Sequence, residues 1–256
     1  MKALPRPLAW LMTTLVVALS SAACGPRDAT GLPAGAAQAA PQTMADHPAS
    51  AVNAGPRIVF LGDSLTAGLG LPVSAAYPSL LQEHLNEAGL HFQVVNAGVS
   101  GDTSADALSR LDWALEGDVR VLIVALGGND GLRGLPAEQL RDNLAAIIER
   151  AQQRGITVVL AGMEAPPNYG RDYIVSFHKV YPALAAQYHL ALIPFLLKNV
   201  AGIETLNQRD GIHPTAAGAR IVADNVWAVL KPLAERPTSA GTPRTTSKGE
   251  RGHPGS

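Results

Sequence analysis

The sequence predicts an α/β fold, a doubly wound sheet with helices on both faces. Three observations lead there. Five short apolar runs, rich in β-branched residues, are spaced along the middle of the chain. Amphipathic stretches at helical spacing separate them. The glycine-rich motifs that suggest chemistry follow these runs or precede the last helical stretch. Runs that are apolar without alternation mark strands buried on both faces, as a parallel sheet requires. Their alternation with helical patterns gives layers of helix on either side of the sheet.

The first run is Ile58-Val59-Phe60-Leu61, ending at Gly62. Phe92 to Asn96, Val119 to Leu126, Ile156 to Ala161 and Leu190 to Phe195 are the others. Leu140, Leu144, Ile147 and Ile148 recur at helical spacing, as do Val222, Val226, Val229 and Leu230 after the last strand. The folded unit is expected over 57–236. In open α/β sheets, ligands bind beyond the carboxyl ends of the strands.

The flanks differ in kind. Residues 1–24 read as an export signal. Lys2 and Arg6 give a basic start, and Leu8 to Leu19 is an apolar run short for a membrane span. Small residues then lead to Cys24. A plain signal peptide cut near Ala23 is one reading. A second is a lipoprotein signal with Cys24 lipidated; it resembles a lipobox, with Ser21 where an aliphatic residue is usual, and a retained transmembrane anchor ranks third. The second is favoured, because Cys24 is the only cysteine in the chain and an unpaired thiol is a liability in an exported protein. One cysteine allows no intramolecular disulfide and no cysteine-based zinc site. Residues 25–56, rich in Ala, Pro, Gly and Ser, read as a flexible tether, and 237–256 as a disordered tail.

The chain has 256 residues and a formal charge of −1, from 20 basic and 21 acidic side chains. No cluster of Lys and Arg stands out, so no nucleic-acid partner is expected. Much of the 47% apolar content is alanine. The core must therefore come from the Val, Ile and Leu runs.

Four motifs carry the chemistry. Gly62-Asp63-Ser64-Leu65 follows the first run, where a serine entering a helix can present its hydroxyl to a cleft. Ser100-Gly101-Asp102-Thr103 comes shortly after the second; its glycine lets the backbone approach a ligand with an N–H inward. Gly127-Gly128-Asn129-Asp130 follows the third and can aim the Asn129 amide into the cleft. Asp210-Gly211-Ile212-His213-Pro214 precedes the last helix, with Pro214 suited to a first helical turn and His213 at the helix mouth. A carboxylate three residues before a histidine can hold one ring nitrogen and leave the other to take a proton. Alone, each of the first three motifs also reads as a turn or a cap. Asp63, Asp102 and Asp130 are expected to fix loops, and His84, His91, His178 and His189 to be surface or packing residues.

Together and in this order, the four blocks resemble the SGNH hydrolase superfamily, also called GDSL esterases. They come nearest to its bacterial branch of arylesterases and of acyl-CoA thioesterase I/lysophospholipase L1. The resemblance spans nearly all of Ile58 to Leu233. It also rests on Val94-Val95-Asn96-Ala97, Gly127 to Gly134 and Asn168-Tyr169-Gly170. It implies a three-layer α/β/α sandwich around a parallel sheet, flavodoxin-like in arrangement. It implies Ser64 as nucleophile, His213 as general base and Asp210 as its orienting partner. It implies an oxyanion hole made by the Ser64 and Gly101 backbone N–H groups and the Asn129 side chain, with Gly98 a nearby competitor to Gly101. No metal and no cofactor are called for.

The substrate implied is a small-molecule or lipid-like ester, and the only membrane contact expected is the anchor at Cys24. Leu132, Pro166, Asn168 and Tyr169 would rim the pocket. Between the fourth strand and Asn168 the chain departs from the thioesterase-like members, with Glu164 near a position where those carry a basic residue. This favours an arylesterase-like choice of short to medium acyl chains over thioester or lysophospholipid cleavage. A flavodoxin-like binding module that had lost activity is the rival of another class. Such modules usually lose the serine, the asparagine or the histidine, and all three are present.

Overall fold

The computed structural model describes residues 55–236. The expected export signal with Cys24, the tether up to 54 and the 237–256 tail lie outside the described residues. Five strands form the sheet: β1 (Arg57–Gly62), β2 (Gln93–Gly98), β3 (Val119–Ala125), β4 (Thr157–Ala161) and β5 (Ala191–Ile193). Their order is β2-β1-β3-β4-β5, and every pairing is parallel. The fold class read from the sequence is the one observed.

The central strands are apolar on both faces because helices cover both. Ile58 to Leu61 and Leu122 to Leu126 are fully buried. Each such Ile, Leu or Phe contributes roughly 1.5–3 kcal/mol relative to exposure. Two strands depart from the expected pattern. β2 lies at the sheet edge, and its Val94 and Val95 are only half-buried. β5 stops at Ile193, short of Phe195, because Pro194 has no N–H to offer a ladder.

The helices are α1 (Ser64–Ala67), α2 (Tyr77–Glu87), α3 (Ser104–Ser109), α4 (Leu111–Ala114), α5 (Gly128–Leu132), α6 (Ala137–Gln153), α7 (Arg171–Tyr188) and α8 (Ala216–Ala234). α2 packs against α8, and α6 packs against α3 and α7, which gives one helical layer on each face. The α6 stripe of Leu140, Leu144, Ile147 and Ile148 is wholly buried. On α8, Val222, Val226 and Leu230 are buried and Val229 is half-buried. With β1 flanked by β2 and β3, the chain leaves its carboxyl end in one direction and later returns on the other side. That switch point opens a crevice above β1.

Candidate active site

Ser64 opens α1 directly beyond β1. Asp63 caps that helix, its Oδ1 accepting from the Leu65 N–H at 3.0 Å. The Asp63 side chain is buried, and this desolvation pushes its carboxyl up to about 6, against the pull of the Leu65 N–H and the His213 charge. Ser64 Oγ lies 2.8 Å from His213 Nε2. His213 Nδ1 lies 2.7 Å from Asp210 Oδ2.

A tight local turn makes the second contact possible. Asp210 Oδ1 accepts from the backbone N–H groups of Ile212 (2.9 Å) and His213 (3.0 Å). Those two bonds, with the His213 ring, hold the Asp210 carboxyl down at about 2. A carboxylate only accepts, so His213 Nδ1 must carry the ring proton. Nε2 then offers its lone pair to the serine hydroxyl. Pro214 is not inside the helix as the sequence suggested. Thr215 is the N-cap of α8, and Pro214 pairs with Asn207 in an isolated antiparallel bridge. Gln208 closes this segment, its N–H donating to the His213 carbonyl at 2.7 Å.

Opposite stand the loops after β2 and β3. Gly101 has φ +91°, a left-handed conformation open to glycine. The backbone N–H groups of Ser64 and Gly101 have no acceptor among the described residues. The Gly98 N–H, by contrast, is taken by Asn96 Oδ1 at 3.0 Å. Gly127 has φ +109°, and a Cβ there would strike the Tyr181 hydroxyl. This bend swings Asn129 toward the β2 loop. Its Nδ2 donates to the Asp102 carbonyl at 2.9 Å and lies 3.4 Å from Asp63 Oδ2. One amide hydrogen is thus held by the loop, and the other has only a long contact.

The aspartates expected to fix loops do so. Asp130 accepts from the N–H (2.9 Å) and hydroxyl (2.6 Å) of Ser104, and Asp102 pairs with Arg110 at 2.6 Å. His84 stacks on Trp227, while His178 pairs with Glu164 at 2.8 Å on the surface. Among the described residues, no three His, Cys, Asp or Glu side chains form a group that could hold a metal ion.

An apolar recess of about 300 Å³, open mouth included, adjoins Ser64 and His213. Leu65, Leu69, Leu71, Tyr77, Leu197 and Val222 are among the side chains that line it. The four residues expected at the rim are not among them. Leu132 and Tyr169 are exposed and joined to each other, the Tyr169 hydroxyl donating to the Leu132 carbonyl at 2.8 Å. Pro166 and Asn168 lie in the same short turn as Tyr169. Sequence reasoning missed the recess residues, which belong to four separate segments. It also missed Arg110, and Arg133, whose Nη2 donates to the Gly101 carbonyl at 2.8 Å. Arg133 falls in the Gly127 to Gly134 stretch without a role being read for it, and no motif marks Arg110.

A parallel α/β sandwich with serine, imidazole and carboxylate in hydrogen-bonded series beyond its central strands has the architecture of a serine hydrolase. The family can be named as well. Residues 60–221 match the model of the GDSL-like Lipase/Acylhydrolase family, and the chain belongs to that family. It is a carboxylic ester hydrolase of the serine type.

Among its relatives, Esterase TesA of Pseudomonas aeruginosa is 46% identical over 177 residues, 69% of this chain and 88% of that one. The crystal structure of TesA superposes with a TM-score of 0.67, covering 70% of this chain and 99% of that chain. An arylesterase of Vibrio mimicus is 36% identical, over 69% of this chain and 89% of its own. Thioesterase 1/protease 1/lysophospholipase L1 of Escherichia coli is 38% identical, over 69% and 84%.

Proposed function

We propose that this chain hydrolyses carboxylic esters of short to medium acyl length, in the manner of an arylesterase, through an acyl-enzyme on Ser64. The observation that carries this reading is the unbroken series from Ser64 Oγ to His213 Nε2 (2.8 Å) and from His213 Nδ1 to Asp210 (2.7 Å). Ser64 attacks the ester carbonyl while His213 Nε2 takes its proton. The new imidazolium is held by Asp210, which is already ionised. The free N–H groups of Ser64 and Gly101 and the loosely held second hydrogen of Asn129 receive the developing oxyanion. His213 returns the proton to the leaving alcohol, and water then releases the acid by the same path.

The preference for short acyl groups rests on two features. The apolar recess beside Ser64 is small, and Glu164 supplies no cation for a polyanionic carrier. Leu132, Pro166, Asn168 and Tyr169, which do not line this recess, are proposed as the rim that meets the rest of the ester. A second reading comes from the relative named for thioesterase and lysophospholipase activities, since the same series of groups can open those bonds. A panel of nitrophenyl esters from acetate to palmitate, with acyl-CoAs and lysophospholipids alongside, separates the two. Highest kcat/KM on acetate to octanoate supports the proposal. Highest kcat/KM on acyl-CoAs or lysophospholipids overturns it.

The proposal extends to organisation. Residues 57–236 form the hydrolase domain, 25–56 its tether and 237–256 its tail. The chain is exported and held at the envelope by a lipid on Cys24. The isolated cysteine after the apolar run supports this reading. Mass spectrometry of the mature N-terminus tests it, and an unmodified Cys24 is the failing result.

A further inference from the structure

Arg110 stands at the junction of α3 and α4, and no motif includes it. Its guanidinium nevertheless reaches two loops that meet at the reaction centre. Nε donates to Asp102 Oδ2 at 2.6 Å, and Nη2 donates to the Gly62 carbonyl at 3.1 Å. Both partners of the ion pair are largely shielded, with side-chain exposures of 18% for Arg110 and 12% for Asp102. Charge-assisted bonds in such a setting are stronger and more directional than surface pairs.

The positions of these two acceptors give the contact its meaning. Gly62 ends β1, two residues before Ser64. Its carbonyl also accepts from the Val99 N–H at 3.1 Å, where the β2 loop begins. That loop runs through Ser100 and Gly101 to Asp102, whose N–H turns back to the Val99 carbonyl at 3.1 Å. The Asp102 carbonyl in turn holds Asn129 Nδ2 at 2.9 Å. The segment bearing the Ser64 N–H, the segment bearing the Gly101 N–H and the Asn129 amide therefore converge on one guanidinium. Arg and no other side chain offers a planar fork able to bond a carboxylate and a carbonyl at once.

We infer that Arg110 is a positioning residue for the oxyanion hole, fixing the Gly101 and Asn129 donors relative to Ser64. The inference rests on the hydrolytic reading above. Arg110 touches no substrate and acts through Asp102 and Gly62. Its loss widens the spacing of the donors, and this is felt where the carbonyl oxygen becomes an anion, not where the ester first binds.

The test compares Arg110→Met, Arg110→Lys, Asn129→Ala and the Arg110→Met/Asn129→Ala double variant on one nitrophenyl ester. Arg110→Met is expected to lower kcat by about 10–100-fold, less than the loss of a donor itself, with KM within about 2-fold. Arg110→Lys, which keeps the Asp102 pair and loses the fork, falls between it and the parent. In the Asn129→Ala background the Arg110→Met step should cost under about 3-fold, because both changes act on one device. Affinity for phenylboronic acid, whose adduct on Ser64 is tetrahedral and anionic, should fall in parallel with kcat.

An Arg110→Met protein with unchanged kcat, a loss confined to KM, or full additivity with Asn129→Ala overturns the inference. Should Arg110→Met not fold, Arg110→Lys and Asp102→Asn carry the same kinetic and boronate tests. Failure of the underlying reading shows separately, as fluorophosphonate labelling away from Ser64 in the parent enzyme.

Discussion

The two sides of the crevice are built differently. The side that would receive the carbonyl oxygen is cross-tied and buried: Asp63, Thr103, Ser104 and Asp130 are almost wholly out of solvent, Ser104 and Asp130 bond loop to loop, and Asp63 and Thr103 cap the helices that follow them. The side that would supply the base is a short exposed segment. Asp210 has 45% of its side chain in solvent, Ile212 is exposed, and an open groove runs beside Gly211. The Asn207–Pro214 bridge, the bonds of Asn207 and Gln208 and the Ser64–His213 contact hold it to the body. The difference follows from what each side must do. Donors that wait for a charge work best when they need not reorganise. A base that takes and returns a proton needs one well-aimed ring, and two backbone bonds to its partner suffice to aim it.

Breaking the link between the sides should have the largest effect. Ser64→Ala should lower the rate on the order of 10⁴-fold or more, His213→Ala by a similar factor, and the double variant little further, since the groups act as a unit. Single-turnover kinetics with thermal unfolding alongside checks this, and both single variants should unfold near the parent temperature. Within the buried side, Asn129→Ala should lower kcat by about 10²–10³-fold with the fold intact. An unchanged kcat would make Asn129 a loop residue only.

The same side should also be costly to disturb structurally. Asp130→Ala leaves the buried Ser104 N–H and hydroxyl without their carboxylate and should destabilise by about 2–4 kcal/mol. Denaturant unfolding measures it, and a loss below about 0.5 kcal/mol would place the tie elsewhere.

The smallest effect sharpens the contrast through pH. Asp63 is raised from 3.8 to about 6 by burial. Its ionised form therefore costs stability above pH 6, and the cost fades as pH falls from 6 toward 4. Asp63→Asn keeps an acceptor for Leu65 and removes the charge. It should stabilise by on the order of 1–3 kcal/mol at pH 8 and by almost nothing at pH 4. Asp210 has the opposite sign. Its carboxyl is held at about 2, so its contribution is present above the ordinary 3.8 and is lost only as pH falls through 2. Asp210 should therefore stay charged, and its contribution unchanged, from pH 8 down to pH 4. Melting curves and rates across pH 4 to 8 test both statements, and a Tm gain for Asp63→Asn that is independent of pH contradicts the first.

The sequence disclosed the fold and the four motifs because both are local records. β1, β3 and β4 are continuous apolar runs, and Ser64, Gly101, Asn129 and His213 stand a few residues from a strand or a helix start. Contacts between distant segments left no such trace. Arg110 reaches Gly62 across 48 positions, and its identity follows from no periodicity. The recess joins Leu65, Tyr77, Leu197 and Val222, each of which reads as ordinary core. Edge effects were also hidden: nothing in Val94-Val95 says that β2 has a neighbour on one side only, and a proline at 194 was needed to shorten β5.

The ordering of these parts along the chain has a consequence during synthesis. The proposed nucleophile, the proposed donors and four of the five strands lie before residue 162, whereas His213 sits only three residues ahead of α8. A growing chain that has folded only its first four strands lacks Leu197, His213 and Val222, so the proposed nucleophile would have neither its base nor a closed recess. On the proposed mechanism, hydrolysis would wait for the segment that carries His213 and for α8, which packs on α2. On that reading, the protein would stay inert as an esterase until the chain through α8 has folded.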